Sequence, residues 1–161
     1  MNTKIVDLAE LPARVRQLRG AGKKIVVTNG CFDVLHVGHV RYLKAARARG
    51  NVLIVGLNGD ASVRELKGAG RPLNSERDRA EVLAALEDVD LVAIFPEVRA
   101  TRFIEAASPS IYVKGGDYTP ETLNLEEQAM LKKLGAEIRI LPLEPGYSTS
   151  KLLENFCKID K

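Results

Sequence analysis

A doubly wound α/β domain is the fold class this sequence predicts, and three observations predict it. Five short apolar runs lack the polar alternation of a half-exposed strand, as strands buried on both faces do. Segments of helical period separate them, and strands alternating with helices imply parallel pairing through right-handed crossovers. The length of 161 residues suits one domain able to bury a continuous core.

The elements follow in order. The N-terminal "VDLAELPARVRQLRG" reads as an amphipathic helix beside the first strand, within an extension over residues 1–23. "KIVVTN" (Lys24–Asn29) is the first strand and stops at Gly30. "HVRYLKAARAR" (His39–Arg49) spaces Val40, Leu43 and Ala46 along one helical face, with Gly50 beyond its end. "VLIVGL" (Val52–Leu57) is the second strand. Ser75 is an N-cap for a helix running to Leu86, with Glu76 and Asp78 in its first turn. "DLVAIF" (Asp90–Phe95), "SIYVKG" (Ser110–Gly115) and "EIRILPL" (Glu137–Leu143) complete the five strands. "RATRFIEAA", "NLEEQAMLKKLG" and "SKLLENFCKI" carry helical spacing. The reading is one Rossmann-like domain over residues 1–161, core 24–154, with a mainly parallel five-stranded sheet and helices on both faces.

Composition narrows the function. With 45% hydrophobic and 28% charged residues the chain is globular, and a net charge of +3 gives no basic face for nucleic acid or anionic membrane. A few placed cations would still suit a phosphorylated small molecule. No apolar run approaches the roughly 18 residues of a membrane span. The N-terminus alternates charged and apolar residues, unlike a signal peptide. Two cysteines, Cys31 and Cys157, make no disulfide framework, so a reducing cytoplasm is expected.

Ligands of such a sheet sit beyond the carboxyl ends of its strands. The turns after Asn29, Leu57, Phe95, Val113 and Leu143 are therefore the places to look. The first holds both histidines of the chain, His36 and His39, on one side of a helix start. Zinc would need a third ligand, and no cysteine or carboxylate has matching spacing. Gly38 between the rings lets a ligand approach the backbone, and a helix N-terminus favours an anion. The pair reads as a phosphate grip.

"TNGCFDVLHVGH" resembles the signature of the H-x-G-H nucleotidyltransferase superfamily, which includes cytidylyltransferases and adenylyltransferases of phosphorylated metabolites. "VGLNGDASVRELKGAGRPLN", "ERDRAEVLAALEDVD", "VKGGDYTPETL" and "PGYSTSKLLE" resemble, in the same order, the enzymes that make ADP-heptose from heptose 1-phosphate. The resemblance spans roughly Lys24 to Glu154. It is to the stand-alone form, since this length leaves no room for the sugar-kinase domain to which the activity is often fused.

The resemblance implies transfer of AMP from ATP, with magnesium, to D-glycero-β-D-manno-heptose 1-phosphate, with release of pyrophosphate. It implies His36, His39 and Lys67 as catalytic residues. Asn29 and the backbone of Gly30, Cys31, Phe32 and Gly38 would cradle phosphate, with Asp33 near the triphosphate or its magnesium. Cys31 also reads as an inert buried group, and Asp33 as a turn or N-cap residue. Arg79 would contact phosphate or nucleotide, or pair with Glu76 or another carboxylate. Gly146, Tyr147, Ser148, Thr149 and Ser150 would close over the β- and γ-phosphates while capping the last helix, with Lys151 a possible extra cation. Lys67 otherwise reads as a solvated lysine in the mobile "ELKGAGRP" loop.

Asn58, Asp60, Lys114, Gly115, Gly116 and Asp117 are candidates for the sugar phosphate. Lys114 and Asp117 also fit a structural ion pair. Two departures bear on substrate. Gly59 stands where the family often has serine. "LEPG" lacks the arginine that glycerol-phosphate cytidylyltransferases carry ahead of the Ser-Thr block, which favours the heptose reaction over CTP-dependent activation of an alcohol phosphate. A non-catalytic nucleotide-binding module would not need the whole set of residues. A homodimer is expected from relatives on this fold.

Overall fold

The computed structural model describes residues 3–116 and 118–159. Among them β1 (Ile25–Gly30), β2 (Val52–Asn58), β3 (Leu91–Phe95), β4 (Ile111–Gly115) and β5 (Glu137–Leu141) form an all-parallel sheet in the order β3-β2-β1-β4-β5. Helices α1 (Leu11–Gly20), α2 (Val37–Arg47), α3 (Asp60–Lys67), α4 (Glu76–Ala84), α5 (Thr101–Ala107), α6 (Leu125–Leu134) and α7 (Thr149–Ile159) connect or flank the strands. The fold class is as expected.

Period-two alternation divides the core between the sheet faces. Ile25 and Val27 meet Leu11, Phe103, Ile104 and Leu131, so α1, α5 and α6 cover one face. Val26 meets Leu43, Ala46, Ala80 and Leu83, so α2 and α4 cover the other. Helix α5 packs directly on the bare backbone of Gly56, where a Cβ would lie 2.4 Å from the Phe103 ring.

The chain steps from β1 outward through β2 to β3, then returns to place β4 on the other side of β1. That reversal is the switch point at which a doubly wound sheet opens a crevice. The β1–β2 ladder runs from Ile25↔Val52 to Gly30↔Leu57. The β1–β4 ladder holds Val26↔Ile111 and Val27↔Tyr112 and ends there, leaving the carboxyl ends of the two strands apart.

The structure differs from the sequence reading in three places. Helix α1 starts at Leu11 rather than Val6. The preceding residues pair with β3, Val6 N–H donating to Val92 O at 2.9 Å and Val92 N–H to Lys4 O at 2.8 Å. Helix α2 starts at Val37, which makes His36 its N-cap. Lys67 belongs to the last turn of α3 rather than to a loop. Acidic Asp60 in the first turn and basic Arg64 and Lys67 in the last suit the helix dipole.

Candidate active site

A cleft of about 790 Å³ lies over the carboxyl ends of the strands. It collects the segment after β1, the start of α2, the ends of β2, α3 and β4, and the segment leading into α7.

The two histidines lock each other in place at the start of α2. Gly38 N–H donates to His36 Nδ1 at 3.1 Å, and His36 N–H donates to His39 Nδ1 at 3.3 Å. Each backbone donor requires an unprotonated Nδ1, so each neutral ring carries its proton on Nε2. Burial lowers the His36 pKa, and burial with the neighbouring His36 pushes His39 down to about 4. Both rings are therefore neutral N–H donors at pH 7. Their centroids lie 3.9 Å apart, and His39 also meets the Phe32 ring at 5.6 Å.

Gly38 is required by this arrangement. A Cβ there would lie 2.8 Å from His36 Cε1 and 3.1 Å from Tyr147 Cβ. Tyr147 stacks on His36 at 6.2 Å, with the Arg41 guanidinium 5.8 Å from its ring centroid. Gly146, at φ 85°, turns the chain toward Tyr147. Ser148 Oγ accepts from Lys151 N–H at 3.0 Å and caps α7, while Thr149 donates to Val34 O at 3.1 Å. The first N–H groups of α7, at Thr149 and Ser150, have no helical partner, and both residues line the cleft. Lys151 is exposed.

Asp33 is a buried anchor. Its carboxylate accepts from Arg71 Nε at 2.7 Å, Leu73 N–H at 2.9 Å and Asn74 N–H at 3.1 Å. Burial alone would raise its pKa, but these donors outweigh that and hold it below the ordinary carboxylate value. Both oxygens thus tie residues 71–74 to the segment after β1, the turn role that the sequence also allowed for Asp33. Among the described residues no group of three or more His, Cys, Asp or Glu is arranged to hold a metal ion. The side chains do not fit a resident magnesium.

Arg79, weighed between phosphate and a carboxylate partner, takes the carboxylate role, with Asp60. Its side chain is 1% exposed. It donates to Cys31 O at 2.6 Å, Asn58 O at 2.9 Å, Asn74 O at 3.0 Å and Asp60 Oδ1 at 2.8 Å. The guanidinium thus binds the ends of β1 and β2 to α4 and takes Asp60 out of the cleft. It also braces Phe32, whose φ of 44° is unfavourable for a side-chain-bearing residue. The alternative partner Glu76 instead accepts from Asp60 N–H at 2.7 Å.

The remaining candidates converge. Gly30, Cys31, Lys67, Lys114 and Gly115 line the cleft, as does the buried Asn58, whose amide donates to Ser62 Oγ and Glu97 O. Asn29 accepts from Tyr112 Oη at 2.6 Å. Burial raises the Cys31 pKa, which keeps the thiol protonated. Burial lowers the Lys114 pKa, against the opposing charge of Glu127, and its amine lies 5.1 Å from the Tyr118 ring centroid. Gly116 turns away from β4 at φ 81°. Asp117 lies outside the described residues.

Sequence reasoning missed Arg71, Arg99, Tyr42 and Glu127, which also line the cleft. Arg99 follows β3, one of the strand ends already marked for inspection, so its signal was present. Tyr42 Oη, whose pKa burial raises to about 12, bonds with Thr28 Oγ1 at 2.8 Å and donates to Val113 O. Glu127 accepts from Ala100 N–H at 2.9 Å and joins α6 to the start of α5.

A parallel α/β sheet whose switch-point cleft holds two imidazole N–H donors at a helix start has the architecture of a site for a phosphorylated ligand. The family profile described as Cytidylyltransferase-like matches residues 27–155, and the chain belongs to that family. It is 49% identical over 153 residues to the bifunctional protein HldE of Geotalea uraniireducens (strain Rf4), covering 95% of this chain and 31% of that protein. To HldE of Rhodopseudomonas palustris (strain TIE-1) it is 53% identical over 145 residues, covering 90% and 29%. The chain therefore spans about a third of the length of these relatives. Among solved structures it resembles a lipopolysaccharide core biosynthesis protein from Thermoplasma volcanium GSS1, with TM-score 0.63 and 27% identity, covering 76% of this chain and 98% of that one. A pantoate-beta-alanine ligase from Francisella tularensis shares the fold at TM-score 0.56 and 16% identity, covering 91% and 68%.

Proposed function

We propose that the chain transfers AMP from ATP to D-glycero-β-D-manno-heptose 1-phosphate, forming ADP-heptose and pyrophosphate. An oxygen of the sugar phosphate bonds to the α-phosphorus while the bond to the α,β-bridging oxygen breaks. Pyrophosphate leaves with that electron pair. Such a displacement needs positioning and charge stabilisation more than covalent help.

The observation that carries this reading is the pair of neutral Nε2–H groups fixed at the start of α2. They donate to the triphosphate as charge grows on the bridging oxygen, and neither needs to lose a proton. The backbone after β1 and the N–H groups of α7 bind phosphate oxygens, and Lys67 and Lys114 supply cations. Magnesium arrives on the triphosphate as part of the substrate, and no step depends on a protein-held ion. The enzyme acts in the cytoplasm, as a homodimer, on small molecules rather than nucleic acid or membrane. No described helix is long and apolar enough to cross a membrane.

The test is pyrophosphate release from ATP, magnesium and heptose 1-phosphate. A second arm offers CTP with glycerol 3-phosphate, the alternative that the family's description supports. Release with ATP and the heptose alone supports the proposal. Release only in the second arm replaces it, and release in neither, across further sugar phosphates, overturns the enzymatic reading.

A further inference from the structure

The cleft has two unlike walls. The histidine pair belongs to α2, which covers one face of the sheet, and Thr149 at the start of α7 is tied to Val34 O just ahead of it. The other wall stands over the face covered by α5 and α6. Asn29 and Asn58 extend the rows Ile25, Val27 and Val52, Ile54 on that face, and Glu127 lies one helical turn before the buried Leu131 of α6. All three line the cleft.

Each of these side chains has one half engaged by the protein, and that engagement decides what the other half offers. Asn58 is 3% exposed, and its amide nitrogen donates to Ser62 Oγ at 3.3 Å and to Glu97 O at 3.4 Å. A carbonyl oxygen can face only the nitrogen, so Oδ1 is left over. Asn29 Oδ1 accepts from Tyr112 Oη at 2.6 Å, a separation that suits an O–H donor on oxygen, and Nδ2 is left over. Glu127 is 8% exposed and engages Oε1 with Ala100 N–H at 2.9 Å, leaving Oε2. Among the described residues none of these three remaining atoms has a hydrogen-bond partner, and none is sealed from solvent as Glu97 Oε2 and Thr101 Oγ1 are. Two acceptors and one donor therefore open on the cleft.

We propose, on the AMP-transfer reading, that this wall binds the hydroxyl groups of the acceptor sugar, with Glu127 Oε2 as the acceptor that selects a hydroxyl-bearing substrate. A hydroxyl both donates and accepts, so it suits a mixed set. A phosphate oxygen only accepts, and the Glu127 carboxylate repels it. Lys114 feels the charge of Glu127, so a sugar phosphate with its hydroxyls on Glu127 has a cation nearby for its phosphate.

The displacement itself distinguishes this sugar from the ribose of ATP. Attacking and leaving oxygens lie roughly in line across the α-phosphorus. Pyrophosphate leaves toward the histidines and the start of α7, so the incoming phosphate approaches from the opposite wall. The hydroxyls behind it then meet Glu127, while the ribose branches to the side of that line.

Glu127→Gln separates binding from support. The glutamine oxygen can still accept from Ala100 N–H, while the atom facing the cleft turns from acceptor to donor. Calorimetry on the full chain measures a non-hydrolysable ATP analogue with magnesium, and then heptose 1-phosphate in its presence. Steady-state pyrophosphate release and urea midpoints accompany it. Sugar-phosphate affinity and kcat/KM should fall by about 10–10²-fold, with analogue affinity and urea midpoint unchanged. Tyr112→Phe keeps the ring in the core and frees the Asn29 amide to turn, and it should show the same selective loss. Weaker binding of the analogue with sugar affinity intact would assign Glu127 to the ribose and overturn the proposal. Loss of both affinities together with the urea midpoint in both variants would leave only structural ties and overturn it too. A wild-type enzyme indifferent to both variants fails the sugar wall alone. A wild-type chain that releases no pyrophosphate fails the AMP-transfer reading and the wall with it.

Discussion

The imidazole of His39 accepts a hydrogen bond from the backbone N–H of His36 at 3.3 Å, so the second histidine caps the helix start at which the first sits. The pair is thus one structural unit. Its hydrogen bonds fix tautomer and orientation without any ligand.

The first prediction is a titration. The chain has two histidines, so their imidazole carbon-bound protons give two sets of nuclear magnetic resonance signals. The His39 signal should stay flat from pH 8 to about 5, since its pKa lies near 4. An inflection near 6.5 would show an ordinary imidazole and sink the neutral-donor account. Stability follows with a definite sign. Between pH 6.5 and about 4 the unfolded chain binds a proton that folded His39 refuses, so stability falls as pH falls through that window. The loss is roughly 2–3 kcal/mol, measurable by denaturant unfolding at pH 7 and 4.5 against His39→Asn.

His39→Ala should lower turnover by about 10²-fold or more. The measurement is steady-state pyrophosphate release. An unchanged kcat would remove the ring from the transition state.

Gly38→Ala tests orientation separately from ring chemistry. The new methyl would press on His36 and on Tyr147. Both rings would remain, yet kcat/KM should fall by roughly 10–10²-fold, as small displacements of reacting groups do. Full activity with both imidazoles unmoved would show that the contact relaxes harmlessly.

Arg79→Lys keeps the charge but cannot reach four acceptors at once. It should destabilise the fold by about 3 kcal/mol, the usual scale for breaking a buried ion pair. Urea midpoints report this directly. A variant of wild-type stability that binds nucleotide poorly would return Arg79 to the ligand.

Thr149→Ala separates capping from binding at α7. The hydroxyl bonds Val34 O, whereas Ser148 provides the N-cap acceptor. Nucleotide affinity measured by calorimetry should weaken while the unfolding midpoint moves little. The reverse pattern would make Thr149 a purely structural tie.

The five strands, their parallel pairing and the paired histidines were legible because each is written locally. A buried parallel strand is a short β-branched run, and H-x-G-H lies within one turn. Ser75 was legible as an N-cap for the same reason, and it accepts from Asp78 N–H as a cap should. A carboxylate partner for Arg79 was legible, but its acceptors Cys31 O and Asn58 O were not, because they lie 48 and 21 residues away and are backbone atoms of no particular residue type. Asp33 was ambiguous because its donors come from residues 71–74, which only the folded chain brings near. Helix α3 was hidden by its eight-residue length and by the glycines on both sides of it.

The bracing of the Cys31 carbonyl by Arg79 has a thermodynamic consequence. A segment that ordered only around its ligand would subtract the entropy of that ordering from affinity. Here the segment after β1 is already shaped by bonds that form when the chain folds. Any ligand at this end of the cleft therefore meets a backbone already held in place.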